Sequence, residues 1–192
     1  MGVELGVCGK FSLDKRGELW YDCFGGDFMK KYNRYKFFHD YVFVYPQDRE
    51  DVYTILDYKW FKYFYDKNIY LYPKKDRDKD YYWCYREGKK STIRVHSTIC
   101  CSGCDHINGD KADNRETNLR PATPFQNVCN TKPSKRNATG YKGVQKERNK
   151  FCVQLRFEGK LMYFGSFDTA EDAAKIYDMA ALKYFGEFAW TN

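Results

Sequence analysis

Asp105 and His106 are adjacent, and Asn118 and Asn127 follow in fixed order within CDHINGDKADNRETNLRPATPFQNVCN. Hydrolysis of a phosphodiester needs a base for water, a hard cation at the phosphate and rigid placement of both. Asp105 offers an anionic oxygen and Asn127 a neutral carbonyl oxygen, both suited to an ion such as Mg2+. The chain has three histidines, so an imidazole base is His39, His96 or His106. His39 has no Cys or carboxylate at ligand spacing, and His96 reads as structural. A polar loop rich in Asn and Asp, with an incidental histidine, fits the same spacing. The residue types alone leave both readings open.

Such a group needs elements to hold it. Asp105 and His106 read as extended, which sends their side chains to opposite faces. Thr123 suits a helix N-cap with Pro124 at the first position, placing Asn127 one turn in. Upstream, DREDVYTILDYKWF suggests a short helix, with Val52, Ile55, Leu56 and Lys59-Trp60 near helical spacing. NIYLY and DYYWCYR read as strands joined by the charged turn PKKDRDKD, and STIRVHSTI as a third. Residues 1–50 are aromatic and basic and carry no readable motif.

Downstream, TKPSKRNATG suits a linker. FCVQLRF-EG-KLMYFGSF then reads as a hairpin about a Glu158-Gly159 turn. Phe157 is expected to pair with Lys160, Leu155 with Met162 and Val153 with Phe164. One face then carries Phe151, Val153, Leu155, Met162 and Phe164; the other carries Gln154, Arg156, Leu161 and Tyr163. Asp168 as N-cap and Glu171 as its capping-box partner open the next helix. Its small alanines allow close approach to the apolar face, which leaves the polar face for a ligand or for solvent.

With 192 residues, 43% hydrophobic and 19% aromatic, the chain is too apolar for a disordered one. No apolar run reaches bilayer length, and the first residues make a poor secretory signal. A soluble intracellular protein is expected, in a nucleoid, nucleus or host-cell cytoplasm. The net charge of +7 suits a polyanionic partner, though an ordinary basic surface explains it equally. The eight cysteines read as reduced thiols. A zinc site around Cys101-x-x-Cys104 is set aside, because Cys129 has no mate at CxxC spacing.

Two stretches also resemble known families. DHINGDKADNRETNLRPATPFQNVCN resembles the HNH homing endonucleases of phage and organellar mobile elements. GYKGV with FCVQLRFEGKLMYFGSFDTAEDAAKIYDMAALKYFGEFAWTN resembles the plant Apetala/ethylene-response-factor (ERF) DNA-binding domain, and family members often carry both. The first resemblance implies a ββα-metal module with His106 as general base and Asn118 orienting it. It also implies Asp105 and Asn127 as ligands of Mg2+ or Mn2+. The second implies a three-stranded sheet on double-stranded DNA, with Lys142, Gln145, Gln154, Arg156 and Tyr163 at the contact. Arg115, Arg120 and Lys111 suit phosphate contacts or solvated surface alike.

The expectation is therefore an α+β protein in five segments. Residues 1–50 have no assigned role, 51–98 are β-rich, 99–131 form the HNH module, 132–138 a basic linker and 139–192 the ERF-like domain. The function expected is metal-dependent, sequence-directed cleavage of DNA. The alternative is a non-catalytic DNA-binding protein or transcription regulator descended from a decayed mobile-element nuclease. Neither reading requires a membrane or a small-molecule cofactor beyond the metal.

Overall fold

A computed structural model describes residues 9–13, 19–23, 33–76, 80–88, 91–134 and 136–192. The fold is mixed α+β, with several small antiparallel sheets and, among the described residues, four α-helices. None of those helices is long and apolar enough to cross a membrane. The chain divides into two compact units between Pro121 and Ala122.

In the first unit, five antiparallel strands follow one another across a sheet in chain order. They are β1 (Gly9–Leu13), β2 (Leu19–Cys23), β3 (Asn33–Phe37), β4 (Tyr41–Pro46) and β5 (Thr54–Asp57). The segment without a readable motif thus supplies most of a sheet. Its β4 alternates as a half-buried strand should: Val42 and Val44 are enclosed, while Tyr41 and Phe43 face the other side. Helix α1 (Tyr58–Asp66) follows β5 without a loop and buries Phe61 and Phe64 on the same core.

The helix expected across Val52–Trp60 therefore begins later. Thr54 and Leu56 are wholly buried in β5, whose residues pair with β4 from Tyr41 to Val44. Two-residue alternation wins over the helical reading because both sides of this backbone are hydrogen-bonded. Ile55 N–H donates to Ala112 O at 2.8 Å, and Asn114 N–H donates to Ile55 O at 3.0 Å.

A second sheet joins β6 (Tyr72–Lys75), β7 (Tyr81–Glu87) and β8 (Ser91–Arg94). The first strand sits later than NIYLY, partly inside the segment expected to be a charged turn. Leu71 is held by a side chain instead of a ladder: its N–H donates to Asn33 Oδ1 at 2.8 Å, and its carbonyl accepts from Asn33 Nδ2 at 2.7 Å. The strand expected through Ile99 also stops short. Helix α2 (Val95–Ile99) replaces it, because Val95, His96 and Ile99 fall on one buried helical face. Strands β9 (Cys104–His106) and β10 (Leu119–Pro121) form a separate antiparallel pair.

The second unit holds α3 (Pro124–Cys129), then β11 (Val144–Glu147), β12 (Lys150–Phe157), β13 (Lys160–Phe167) and α4 (Ala170–Phe185). Thr123 caps α3 with Pro124 in its first turn, as the sequence predicts, and its capping box with Gln126 is added by the structure. The hairpin turn also lies where expected, with Phe157 opposite Lys160 and Leu155 opposite Met162. The next expected pair, Val153 with Phe164, is displaced by a bulge between Cys152 and Gln154. The N-cap of α4 is Thr169, whose hydroxyl accepts from Asp172 N–H, one residue beyond the expected Asp168. Ala173, Ala174, Tyr177, Ala180 and Ala181 pack this helix against Val144, Val153 and Leu155.

Candidate functional site

Strand β9 presents Asp105 and His106 as successive residues, each committed to its own partner. Arg120 lies directly across on β10 and donates from Nε and Nη2 to Asp105 Oδ2, at 3.0 and 2.9 Å. Both side chains are mostly buried, so solvent and salt screen the pair little. His106 is 6% exposed and its Nε2 lies 3.2 Å from Asn114 Oδ1.

Asn114 determines which nitrogen of His106 is basic. Its Nδ2 donates to Thr54 Oγ1 at 2.8 Å and approaches the carbonyls of Lys111 and Ala112 at 3.4 Å. That end of the amide faces only acceptors, so Oδ1 faces the imidazole. An oxygen there can only accept, which assigns the ring proton to Nε2 and the lone pair to Nδ1. Burial, the largest influence, pushes the His106 pKa below the usual imidazole value, although Asn114 and nearby carboxylates pull the other way. The ring is consequently neutral and basic at pH 7.

The loop between β9 and β10 is braced from within by Asn118. Its Oδ1 accepts from Asn108 N–H at 3.0 Å, and its Nδ2 donates to Asn108 Oδ1 at 3.0 Å and to Asp113 O at 2.8 Å. The amide meeting the imidazole is thus that of Asn114, while Asn118 shapes the loop that carries Asn114. Thr54 Oγ1 donates to Ala112 O at 2.8 Å, so the sheet edge at β5 also supports this loop.

His96 forms a wall of the site. Its ring meets that of His106 edge to face at 5.1 Å and that of Tyr82 at 5.3 Å. Burial, then the neighbouring His106, Arg94 and Lys111, drive its pKa down to about 3. The structural reading of His96 agrees with that burial. Its contact with His106 was not legible, because the sequence places the two ten residues apart in segments of unlike structure.

The expected phosphate contacts of this unit are engaged internally. Arg115 donates from Nε and Nη2 to the two carboxylate oxygens of Asp113 at 2.8 and 2.7 Å. Lys111 Nζ donates to Asp76 Oδ2 at 2.7 Å, and Arg120 holds Asp105. Strong partners of opposite charge, brought close by folding, claimed these cations.

In the second unit, Gln145, Gln154, Arg156 and Tyr163 lie on the sheet side turned away from α4. Gln154 pairs with Tyr163 and Arg156 with Leu161 across β12 and β13. Arg156, Leu161 and Tyr163 are exposed, Gln145 is exposed on β11, and Gln154 is half-buried. Lys142 differs from expectation: its Nζ turns inward and donates to the carbonyls of Cys129 and Thr131 at 2.6 and 2.8 Å.

Among the described residues no group of three His, Cys, Asp or Glu side chains gathers as a metal site. Asp105 belongs to the first unit, and Asn127, in α3, to the second. Each offers a hard oxygen donor, a carboxylate in the first unit and an amide oxygen in the second, of the kind an ion such as Mg2+ takes. Cys84, Cys100, Cys101, Cys104, Cys129 and Cys152 are free thiols, and burial raises the pKa values of Cys84, Cys100, Cys104 and Cys129.

The fold is mixed α+β, and over part of its length the sequence is similar to a protein of the HNH endonuclease class. An uncharacterized HNH endonuclease of Acanthamoeba polyphaga mimivirus is 38% identical over 116 residues, which are 56% of this chain and 60% of that protein. Protein 3.8 of Escherichia phage T7 is 38% identical over 87 residues, covering 44% of this chain and 71% of the phage protein. The chain belongs to the family of that phage protein. The ethylene-responsive transcription factor WRI1 of Arabidopsis thaliana is 38% identical over 61 residues, 30% of this chain and 14% of that factor. No family model and no solved structure matches the chain.

Proposed function

We propose that this protein is a metal-dependent DNA endonuclease of the HNH homing type, directed to its site by the exposed face of β11–β13. The observation that carries the reading is the Asn114–His106 contact, which leaves a buried, neutral imidazole with Nδ1 as its basic nitrogen. In this reading His106 takes a proton from water as the water attacks phosphorus. Asn118 keeps the loop in shape, and Asn114 keeps the ring proton on Nε2. A divalent cation, Mg2+ or Mn2+, held by Asp105 and Asn127, would offset charge at the phosphate and on the departing 3′-oxygen. The products are a 5′-phosphate and a 3′-hydroxyl.

Arg120 orients Asp105 by bonding one carboxylate oxygen from across the strand pair. On the sheet, Arg156 offers donors to bases or phosphates, and Gln145, Gln154 and Tyr163 offer donors and acceptors. Similarity to the mimivirus protein supports the nuclease half of this reading, and similarity to the plant factor supports the DNA-binding half.

Nicking of a supercoiled plasmid that contains the target site, with Mg2+ or Mn2+ and beside His106→Ala, tests the proposal. Metal-dependent nicking lost in His106→Ala is the expected result. A chain that binds this DNA but never nicks it is a DNA-binding protein only, and nicking that survives in His106→Ala rejects the mechanism.

A further inference from the structure

Helix α3 has six residues, too few to be stable alone. Its ends are held by the second unit. Thr123 and Gln126 close the N-terminus as a capping box. At the other end Lys142 Nζ donates to the carbonyls of Cys129 at 2.6 Å, Thr131 at 2.8 Å and Val128 at 3.4 Å. Carbonyls at a helix C-terminus lack partners within the helix, and a cation there also meets the negative end of its dipole.

Two further ties hold the same helix. Trp190 N–H donates to Cys129 O at 3.3 Å. The Phe125 ring meets Phe157 of β12 at 6.0 Å and Phe185 of α4 at 5.9 Å. Burial pushes the ammonium of Lys142 down to about 8, so its placement costs solvation that an exposed DNA contact would keep. Asn127 lies on α3 between Phe125 and Cys129, the two residues through which the helix is fastened.

We propose that Lys142 is a positioning residue for Asn127: it clamps the end of α3 to the sheet of the DNA-binding unit. That unit then carries both the DNA face and one of the metal ligands. Tight seating of the sheet on DNA and placement of Asn127 become one mechanical event. The catalytic consequence rests on Asn127 being a metal ligand; the clamp itself does not.

The test compares the full chain with Lys142→Met, Lys142→Gln and Lys142→Arg. Amide hydrogen exchange over Gln126–Asn130 reads the clamp without reference to activity. We expect exchange there to be at least tenfold faster in Lys142→Met, intermediate in Lys142→Gln and close to normal in Lys142→Arg, with β12 and β13 protected as before. Unchanged exchange over α3 overturns the clamp, and so does a loss of protection spread evenly over the unit.

Activity reads the consequence. In Lys142→Met we expect kcat at least fivefold lower and a Mg2+ activation midpoint at least threefold higher, with the Kd for duplex within twofold of the unaltered chain. Lys142→Arg should restore both. A Kd that weakens in step with kcat while α3 exchange stays normal makes Lys142 a DNA contact and overturns the positioning role. If the unaltered chain cleaves no DNA with either metal, the endonuclease reading and the catalytic consequence both fall, and exchange alone still decides the clamp.

Discussion

Asn114 Oδ1 and His106 Nε2 lie 3.2 Å apart, and the opposite end of that amide is held by Thr54 Oγ1. A residue on the edge of the N-terminal sheet therefore determines, through one amide, which nitrogen of His106 keeps its lone pair. This chain of contacts links β5 to the proposed chemistry across sixty residues of sequence.

The pH dependence of cleavage follows from that contact. His106 acts in its neutral form, and burial holds its pKa below the ordinary 6.5, so kcat/KM should rise with pH on a limb centred below 6.5 and stay flat through pH 7. Asn114→Asp places a carboxylate on the ring and should move the limb upward by about 1–2 pH units. Asn114→Ala should lower kcat by roughly 10–100-fold, at or below the lower end of what general-base catalysis supplies, because the base itself remains. Single-turnover cleavage between pH 5 and 8 measures all three.

His96 should make the fold sensitive to acid. Its pKa is about 3 when folded and near 6.5 when unfolded, so below pH 6.5 the unfolded chain binds the proton that the native state refuses. Stability from this group is present above pH 6.5 and is lost as pH falls towards 3. Between pH 7 and 5 the loss is about 2 kcal/mol. His96→Gln should remove that part of the slope, while His106 retains its own. Urea unfolding of both proteins at pH 7 and pH 5 gives the difference.

Gly143 should tolerate no side chain. Its φ is +70°, and a Cβ built there would lie 2.0 Å from Tyr177 Cδ2 on α4 and 2.9 Å from Gln154 O. Gly143→Ala combines an unfavourable backbone with overpacking and should destabilise the second unit by about 2–4 kcal/mol. A calorimetric scan should show the lower transition, with duplex affinity falling at the same temperature.

Arg156 and Arg115 should separate cleanly in a salt titration. Arg156 is exposed on the sheet, so Arg156→Ala should weaken duplex binding and reduce the slope of log K against log salt by about 1. Arg115 is spent on Asp113, a carboxylate whose burial would raise its pKa but which Arg115 and Asn108 hold below the usual range. Arg115→Ala should leave the slope unchanged and instead lower the melting temperature by loosening the loop. Fluorescence anisotropy across a KCl series distinguishes the two.

Features with a local cause could be read in the chain. The turn at Glu158-Gly159 needs two residues tolerant of positive φ, and these adopt +49° and +77°. The Thr123-Pro124 start of α3 depends on a hydroxyl and a ring within four residues of each other. The alanines of α4 mark its packed face because helical periodicity repeats them. Over Val52–Trp60 and STIRVHSTI the local pattern pointed to the wrong element for part of the segment, and pairing with distant backbone and burial of a few side chains decided the outcome.

The site itself divides the same way. Asp105, His106, Asn118 and Asn127 could be named as candidates from the chain, by residue type together with the family resemblance. Their partners do not, because Thr54, Asn114, His96 and Arg120 meet them only after strands and helices have packed. A hydrogen bond or ring contact reports distance in space, and the order of residues along a chain carries that information only within a turn or two. Lys142 and Arg120 show the consequence: both are basic residues in a basic chain, and burial beside carbonyls or a carboxylate turned them from expected DNA contacts into parts of the scaffold.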